Sequence, residues 1–424
     1  MKREIRPLKF ADIEAYLDIY LNAYPAFKNL DDECRAHYRE KITLELKEDK
    51  EVKCVGLFEG DTLISIMKIV HFSMNIYGKM QLACGLMSLA VHPLHKKKGA
   101  ALQMVHYFEE HAKMVGALVT LLLPFSISFY RRMGYGFGAK IDEYHIPTTS
   151  IPKAENLENL VLLKIEDLSK VLECHSSFAK NNHGMLEKFE EEIRDMEKDT
   201  QVRRIGYWSE GKLKGYLAFR FENGSKVNYT QNRILVKEMV YENGEVLKSL
   251  LGFLRLQADL AQTVVLRTGE EDFYHLLEDP QDVSGNYIPF GFLQTNVSAI
   301  GTMFKILSPK DFVKQTSYRK FPKMQLVAQF IYENELIHQQ EALTLQFSCN
   351  KASDTGKWSI ADKDVSADVT LHCKEGDLAS LLLGSCNLSS MVRLGTIKIS
   401  NSTFTEQLDQ LLHYMQKPWS NADY

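Results

Sequence analysis

A chain of 424 residues with 45% hydrophobic and 25% charged residues is long enough for two to four domains and apolar enough to give each a core. A formal net charge of −4, from 51 basic against 55 acidic residues with no strongly basic domain, excludes a general electrostatic surface for nucleic acid. Seven cysteines without a Cys-x-x-Cys pair speak against a disulfide framework and for free thiols in a reducing, cytoplasmic compartment. The opening residues carry no apolar leader, so no signal peptide is expected.

In chain order, Ile5 to Tyr16 reads as a strand and then a helix, and Cys54 to Glu59 with Thr62 to His71 as antiparallel strands joined at Gly60-Asp61. The apolar run that ends in Leu89-Ala90-Val91 breaks at Pro93. Lys96-Lys97-Lys98-Gly99-Ala100-Ala101-Leu102 then opens a helix, whose apolar positions continue through Val105, Phe108 and Ala112 until Gly116. Lysines at a helix start share that end with the positive pole of the dipole and with unpaired N–H groups, a conflict that an anion resolves. Gly99, Ala100 and Ala101 leave a pyrophosphate room to reach the main chain, while the lysines supply mobile cations. A solvated basic helix start is the plainer alternative. Leu118 to Leu123 reads as the next buried strand, and the longest strongly apolar stretch, Met114 to Phe125, is too short to span a bilayer.

Strand, turn, helix and strand here follow neither Walker A nor Gly-x-Gly-x-x-Gly spacing. Lys96-x-x-Gly99-x-Ala101 resembles the acetyl-CoA motif of the GNAT N-acetyltransferases, [QR]-x-x-G-x-[GA], with lysine in the first place. Phe125-Ser126 through Tyr130, Gly134 and Tyr135 to Phe137 resembles the family's F-Y-x-x-x-G-F turn, and Arg6-Pro7 to Asp12 a common GNAT opening. The resemblance implies that Tyr130 protonates the departing thiolate, with Tyr135 its nearest rival. Packing of both rings with a wet hydroxyl is the alternative.

Two prolines between Tyr144 and Asn156 close a first domain placed at 1–147. A second, 148–304, repeats the order: strand Val161 to Ile165, helices Glu166 to His175 and Met185 to Lys198, a hairpin from Gly206 to Phe221, and a closing stretch Asn286 to Phe292. In place of a second cofactor loop, Val236 to Leu251 lacks the lysines and sets Glu242 and Glu245 around Gly244, where carboxylates repel a pyrophosphate. This reads as a degenerate GNAT fold unable to bind CoA. A third domain, 305–424, carries strands at Leu343 to Phe347, Gly356 to Ile360 and Ala367 to His372. Asp377 reads as the cap of a helix, Leu378 to Leu383, that Gly384 ends. A last helix is lined by Leu408, Leu411, Leu412 and Met415. The order resembles the sterol carrier protein-2 (SCP2) fold, whose family binds lipid in an apolar cavity, although the leucines equally fill a core. The fold class expected is α+β / α/β: two tandem GNAT folds, the second degenerate, then an SCP2-like α+β domain.

That three-part order is similar to the Eis ("enhanced intracellular survival") acetyltransferases. Val91-His92-Pro93-Leu94-His95-Lys96-Lys97-Lys98-Gly99 follows their V-A-P-x-H-R-R-R-G, with lysines for arginines and His92 for alanine. The resemblance implies an acetyl-CoA-dependent N-acetyltransferase that works by direct attack in a ternary complex. Its acceptor would be a primary amine of polyamine, aminoglycoside-like or lysine type. Leu89, Ala90 and Val91 would pair with pantetheine, the segment from Lys96 through Leu102 would hold the pyrophosphate, and Phe125 with Ser126 would border the acyl arm. Tyr130 would be the acid and the terminal carboxylate at Tyr424 the base, with Asp423 an alternative. A homo-oligomer, possibly a ring-like hexamer, is also implied. The rival function is lipid or small-molecule binding by the third domain.

A cationic acceptor seeks aromatic and acidic walls, for which Tyr24 and Phe27, just before Asp31-Asp32-Glu33, are the candidates; Asp31 equally reads as a helix cap. No metal site is expected, because the histidines show neither His-Glu-x-x-His nor Cys/His spacing. His92 and His95 border the lysine loop.

Overall fold

The computed structural model describes residues 2–24, 26, 30–154, 157–349, 355–362 and 364–421. The first stretch runs β1 (Arg3–Pro7), α1 (Ile13–Ala23), α2 (Asp32–Glu48), β2 (Val52–Glu59), β3 (Thr62–Ile76), β4 (Lys79–Val91), α3 (Ala100–Met114), β5 (Val119–Leu122), α4 (Ile127–Arg132) and β6 (Gly136–Phe137). The second runs β7 (Lys140–Pro147), β8 (Leu160–Leu163), α5 (Leu168–Asn181), α6 (Glu190–Lys198), β9 (Arg203–Ser209), β10 (Lys212–Asn223), β11 (Asn232–Tyr241), α7 (Gly244–Leu256), β12 (Thr263–Thr268) and β13 (Val297–Ile300). The third runs β14 (Met303–Ile306), α8 (Pro309–Gln315), β15 (Leu326–Asn334), β16 (Gln339–Cys349), β17 (Gly356–Ile360), β18 (Val369–Lys374), α9 (Glu375–Leu382), α10 (Leu388–Arg393), β19 (Lys398–Ile399) and α11 (Thr405–Leu412).

Three sheets result, ordered β1-β2-β3-β4-β5-β14-β6, β13-β7-β12-β11-β10-β9-β8 and β17-β16-β15-β18-β19. The first two share a pattern. Each has an antiparallel hairpin ladder, β2-β3-β4 or β9-β10-β11, followed by a helix and a strand parallel to the ladder's last member. They also trade strands. β7 leaves the first stretch to pair with β12 over Lys140–Pro147, while β14 returns from beyond the second stretch to lie between β5 and β6. The linear division at 147 therefore falls after a strand of the second sheet, and that at 304 cuts a strand of the first. Alternating burial in β7 reports a half-covered strand, not which sheet covers it.

β3 is buried along most of its length because α1 covers one face and α3 the other, whereas β15 and β16 alternate inward and outward as strands of a sheet covered on one side. One apolar core joins the first and third units: Tyr16, Leu17 and Phe72 belong to the same cluster as Phe312, Trp358 and Leu411. α9 docks on β6, where Ser380 Oγ accepts from Phe137 N at 2.8 Å and donates to Phe137 O at 3.1 Å. A Cβ on Gly136 would lie 2.2 Å from Gly376 O, so the second glycine of the Gly134-Tyr135-Gly136 run admits the third unit's backbone.

Several local expectations change. Asn286 to Phe292 forms no strand, and β13 with β7 closes the second sheet instead. Met185 and Leu186 precede α6 rather than entering a helix; Leu186 bridges to Met74, and Met185 O accepts from Asn75 N at 2.9 Å. Met415 lies beyond α11 and is exposed. Asp377 sits inside the first turn of α9 and pairs with Arg131 Nη2 at 2.6 Å rather than capping the helix.

Candidate active site

β4 and β5 run parallel only from Ala83 to Gly85 against Val119 to Leu121. Beyond that point they part, and among the described residues Leu86 to Val91 has a strand neighbour only on the β3 side. Such a free edge accepts an extended, amide-bearing chain. The register of β4 against β3 slips between Met87 and Ala90, a bulge at which Ser88 takes φ 52°. Leu89 O accepts from Tyr24 Oη at 3.1 Å and Ala90 O from Ser65 Oγ at 2.7 Å.

At the mouth of the wedge the chain turns through Pro93–His95 and reaches α3 with Lys96, Lys97, Lys98 and Gly99 all exposed. Lys97 and Gly99 take left-handed φ values of 60° and 80°. A Cβ on Gly99 would meet nothing within 4 Å, so the glycine serves the backbone turn and leaves the space in front of it open. Gly99 O accepts the first helical bond, from Gln103 N at 3.1 Å, so the N–H groups of Ala100, Ala101 and Leu102 precede the ladder. The first turn has no side-chain cap and no acidic residue. The cradle thus fits a pyrophosphate: unpaired donors, a positive dipole end, three lysines and no competing carboxylate in the helix's first turn.

The corresponding helix of the second sheet, α7, differs at this point. Asn243 caps it by accepting from Glu245 N and Val246 N at 3.0 and 3.1 Å, and the Glu245 carboxylate in its first turn accepts from Tyr207 Oη at 3.0 Å. Two of its first-turn donors are thus already taken by the chain.

Tyr130 lies on α4, just past β5, its ring edge-on to Phe129 and Tyr135 at 5.1 and 5.7 Å. No described residue hydrogen-bonds its hydroxyl, and burial pushes that phenol up to about 12, so it is protonated at neutral pH. Tyr135 is enclosed and its hydroxyl is shared with Thr120 Oγ1 at 3.3 Å, which removes the rival from the wedge. Burial, then the Tyr20 and Tyr130 phenols, hold the Tyr24 hydroxyl above the ordinary tyrosine range. Phe125 and Ser126 stand exposed at the end of β5. Phe27, Asp423 and Tyr424 lie outside the described residues.

From the β4 bulge a cleft of about 500 Å³ opens between the first two units, with Tyr20, Tyr24, Met87 and Ser88 on one side and α6 with β11 on the other. The acids nearest Tyr24 in sequence do not build it: Asp31 caps α2 through Cys34 N at 2.9 Å. Glu191, Glu192 and Asp195 of α6 do, with Glu238 of β11, and lysines pair with them. Lys188 reaches Glu192 at 2.5 Å and Glu238 at 2.7 Å, and Lys41 reaches Glu191 at 2.9 Å. Against the upward push of burial, Lys188 and then His175 bring Glu238 down to about 2. The run Glu190-Glu191-Glu192 was visible in the sequence, but nothing local placed it opposite Tyr24.

The chain's last described residues thread into this cleft from the third unit. Ala139 N donates to Pro418 O at 2.9 Å, Trp419 N to His183 O at 3.3 Å, and Asn421 lines the cleft itself. Among the described residues no group of three His, Cys, Asp or Glu could hold a metal ion, and no helix is long and apolar enough to cross a membrane.

A model of the acetyltransferase (GNAT) domain matches residues 4–138, and a second GNAT acetyltransferase domain model matches residues 184–293. The chain is a GNAT acetyltransferase. Solved structures with the same overall fold include a probable N-acyltransferase of unknown function from Enterococcus faecalis V583 (TM-score 0.79, 15% identity), which covers all of both chains. A GCN5-related N-acetyltransferase from Anabaena variabilis ATCC 29413 (0.76, 15%) and Eis1 from Mycobacterium abscessus (0.74, 17%) do the same. No curated protein matches the sequence. The GNAT fold implies use of acetyl-CoA.

Proposed function

We propose that this GNAT enzyme transfers an acetyl group from acetyl-CoA to a primary amine by direct attack in a ternary complex, using the first unit alone as its cofactor site. The observation that carries the reading is the contrast between two helix starts: α3 has free donors and three lysines, whereas α7 is capped by Asn243. In this reading Lys96, Lys97, Lys98 and the N–H groups of Ala100, Ala101 and Leu102 hold the pyrophosphate, Gly99 allowing its approach. The open edge at Leu89, Ala90 and Val91 takes the pantetheine arm, which Phe125 and Ser126 border.

Bound acetyl-CoA supplies the activated acyl group. The chain's own residues then manage protons. As the amine nitrogen bonds to the acyl carbon and the carbon–sulfur bond breaks, Tyr130 gives its phenolic proton to the departing sulfur. The ammonium proton must leave first, and the carboxylate at Tyr424 is the base we assign, supported by the route of the tail from Pro418 to Asn421 into the cleft. An α-carboxylate ordinarily titrates at about 3.5, so burial or a relaying water must assist it.

Tyr24 walls the acceptor site. Glu191, Glu192, Asp195 and Glu238 each carry a lysine partner, so an acceptor amine near them exchanges with an ammonium already present rather than neutralising bare carboxylates. The third unit we assign to the SCP2-like class by its element order. Its leucines, Leu378, Leu381, Leu382, Leu408 and Leu411, are closed in the core against Trp358 and Phe330, which favours a bracing role over lipid carriage. Self-association we assign to the exposed loop bearing Tyr287, Ile288, Phe290 and Leu293.

Calorimetry tests the enzyme reading: one acetyl-CoA per chain is expected, and no binding to the native protein would end it. A screen of amines for acetylation then identifies the acceptor.

A further inference from the structure

The second sheet repeats the wedge of the first. β11 and β12 run parallel only from Arg233 to Leu235 against Thr263 to Val265; beyond these, among the described residues, β11 pairs only with β10 and β12 only with β7. β11 also bulges, at Lys237, the residue left over between Val236, opposite Phe219, and Glu238, opposite Ala218. A cavity of about 440 Å³ lies in this wedge, with Val236 and Met239 on one strand, Arg267 and Thr268 on the other, and Trp419 and Asn421 of the chain's tail in its wall.

The second unit grips that tail along its length. Gln416 Nε2 donates to Asn182 Oδ1 at 3.2 Å, and Lys417 Nζ pairs with Glu271 Oε1 at 2.6 Å. Two glycines of the same unit make the closest approach possible. A Cβ on Gly184 would lie 2.5 Å from Trp419 N and 2.6 Å from Pro418 Cα, and one on Gly269, the residue after β12, 2.6 Å from the Trp419 ring. Trp419 packs against the apolar cluster that contains Met185, Tyr216 and Val240, and its neighbours Pro418 and Ser420 are buried. An indole is large and rigid, so it fixes a chain in register at little entropic cost.

We propose that Trp419 is a positioning residue for acetyl transfer: seated on Gly269 at the end of β12, it sets how far the chain's end reaches into the acceptor cleft. The second unit's wedge then serves the reaction as a clamp on the tail. This rests on the reading that the Tyr424 carboxylate is the base. Tyr424 is three residues beyond Asn421, about 10 Å of extended chain, and a displacement of about 1 Å at a reacting group is enough to cost rate.

The test compares the full chain with Trp419→Ala, Trp419→Phe and Gly269→Ala, the last leaving the tail's own sequence untouched. Hydrogen exchange of the tail peptide reports docking, and calorimetry the affinity for acetyl-CoA. Turnover is measured with acetyl-CoA and spermidine, or with the best amine of the acetylation screen where that reacts faster. Trp419→Ala and Gly269→Ala are expected to speed exchange of the tail amides and to lower kcat about tenfold or more with acetyl-CoA affinity unchanged, while Trp419→Phe keeps most of the rate. On a Trp419→Ala background, Gly269→Ala costs nothing further, because the ring it displaces is gone. Native turnover in Trp419→Ala, or a fall that acetyl-CoA affinity shares, overturns the proposal, and Gly269→Ala carries the same two outcomes should Trp419→Ala fail to fold. The base is read separately, on a chain extended past Tyr424. A full rate there ends that reading and the proposal with it, whereas an impaired extended chain beside native turnover in Trp419→Ala overturns the role of Trp419 alone.

Discussion

Asn421 donates its side-chain amide to Glu238 Oε1 at 2.7 Å, so a residue that follows the third unit is hydrogen-bonded to a carboxylate of the second on the wall of a cleft that begins in the first. Glu238 is fixed in turn by Lys188 and by Tyr216 Oη at 2.6 Å, which makes it a rigid anchor for the tail. Asn421→Leu removes a hydrogen bond to a charged group, worth about 1.5–3 kcal/mol. If the tail delivers the base, kcat falls by about tenfold or more while acetyl-CoA affinity stays the same; steady-state kinetics beside calorimetry would show the split. An unchanged kcat removes the tail from the mechanism.

A chain extended by one residue past Tyr424 shifts the carboxylate without altering the anchor at Asn421. Its turnover is expected to drop with the fold and cofactor affinity intact, as checked by rate assays and circular dichroism. Full activity in the extended protein would transfer the role of base elsewhere.

Tyr130→Phe keeps the packing against Phe129 and Tyr135 and removes only the proton. General-acid groups typically contribute about 10²–10⁴-fold, so a kcat loss of about 10²-fold is expected. Because burial pushes the Tyr130 phenol up to about 12, the protonated form persists well above neutrality. The alkaline limb of the native pH–rate profile assigned to this acid should therefore lie near that value, not near the ordinary phenol value of about 10. Its presence unaltered in Tyr130→Phe would assign it to another group.

Lys97→Glu places a carboxylate at the cradle and is expected to abolish acetyl-CoA binding. Gly99→Val should weaken binding without a steric clash, because the φ of 80° disfavours a β-branched residue while the space around it is open. Gly244→Val, at the start of the capped α7, should leave stoichiometry and affinity as they are. Titration calorimetry on the three variants separates them, and loss of binding in Gly244→Val would return a cofactor role to the second unit.

His183 couples the units: its Nδ1 accepts from Tyr77 N at 3.1 Å, its Nε2 bonds Leu383 O at 2.9 Å, and its own N donates to Gln416 Oε1 at 3.0 Å. Accepting at Nδ1 requires the neutral ring, and burial pushes it down to about 4. The unfolded chain takes up this proton at about 6.5 and the folded chain does not, so the stabilisation is complete above that pH and is lost as pH falls from about 6.5 towards 4. Melting temperatures across that range should decline, and His183→Asn should flatten part of the decline. An identical slope in the variant would assign the effect to the other buried histidines, His111 and His175, which burial also holds at about 4.

The sequence alone determined the local chemistry. Helical spacing after Gly99, three adjacent lysines and the loss of that cluster around Gly244 were enough to predict that α3 and α7 start differently, because helix capping uses main-chain donors and side chains within a few residues of each other. What only the tertiary structure decided is everything that depends on distant segments meeting. β7 and β14 change sheets, although their burial patterns would suit either. The acids that face Tyr24 come from α6 of the next unit rather than from neighbouring Asp31, which is occupied as a cap. The tail reaches Glu238 through contacts made one residue at a time to Ala139, His183 and finally Asn421's partner. Periodicity records how much of a segment is covered, and by what kind of surface, but not which surface. That choice is made when the three units pack, and it is there that the cleft between the first two units comes into existence.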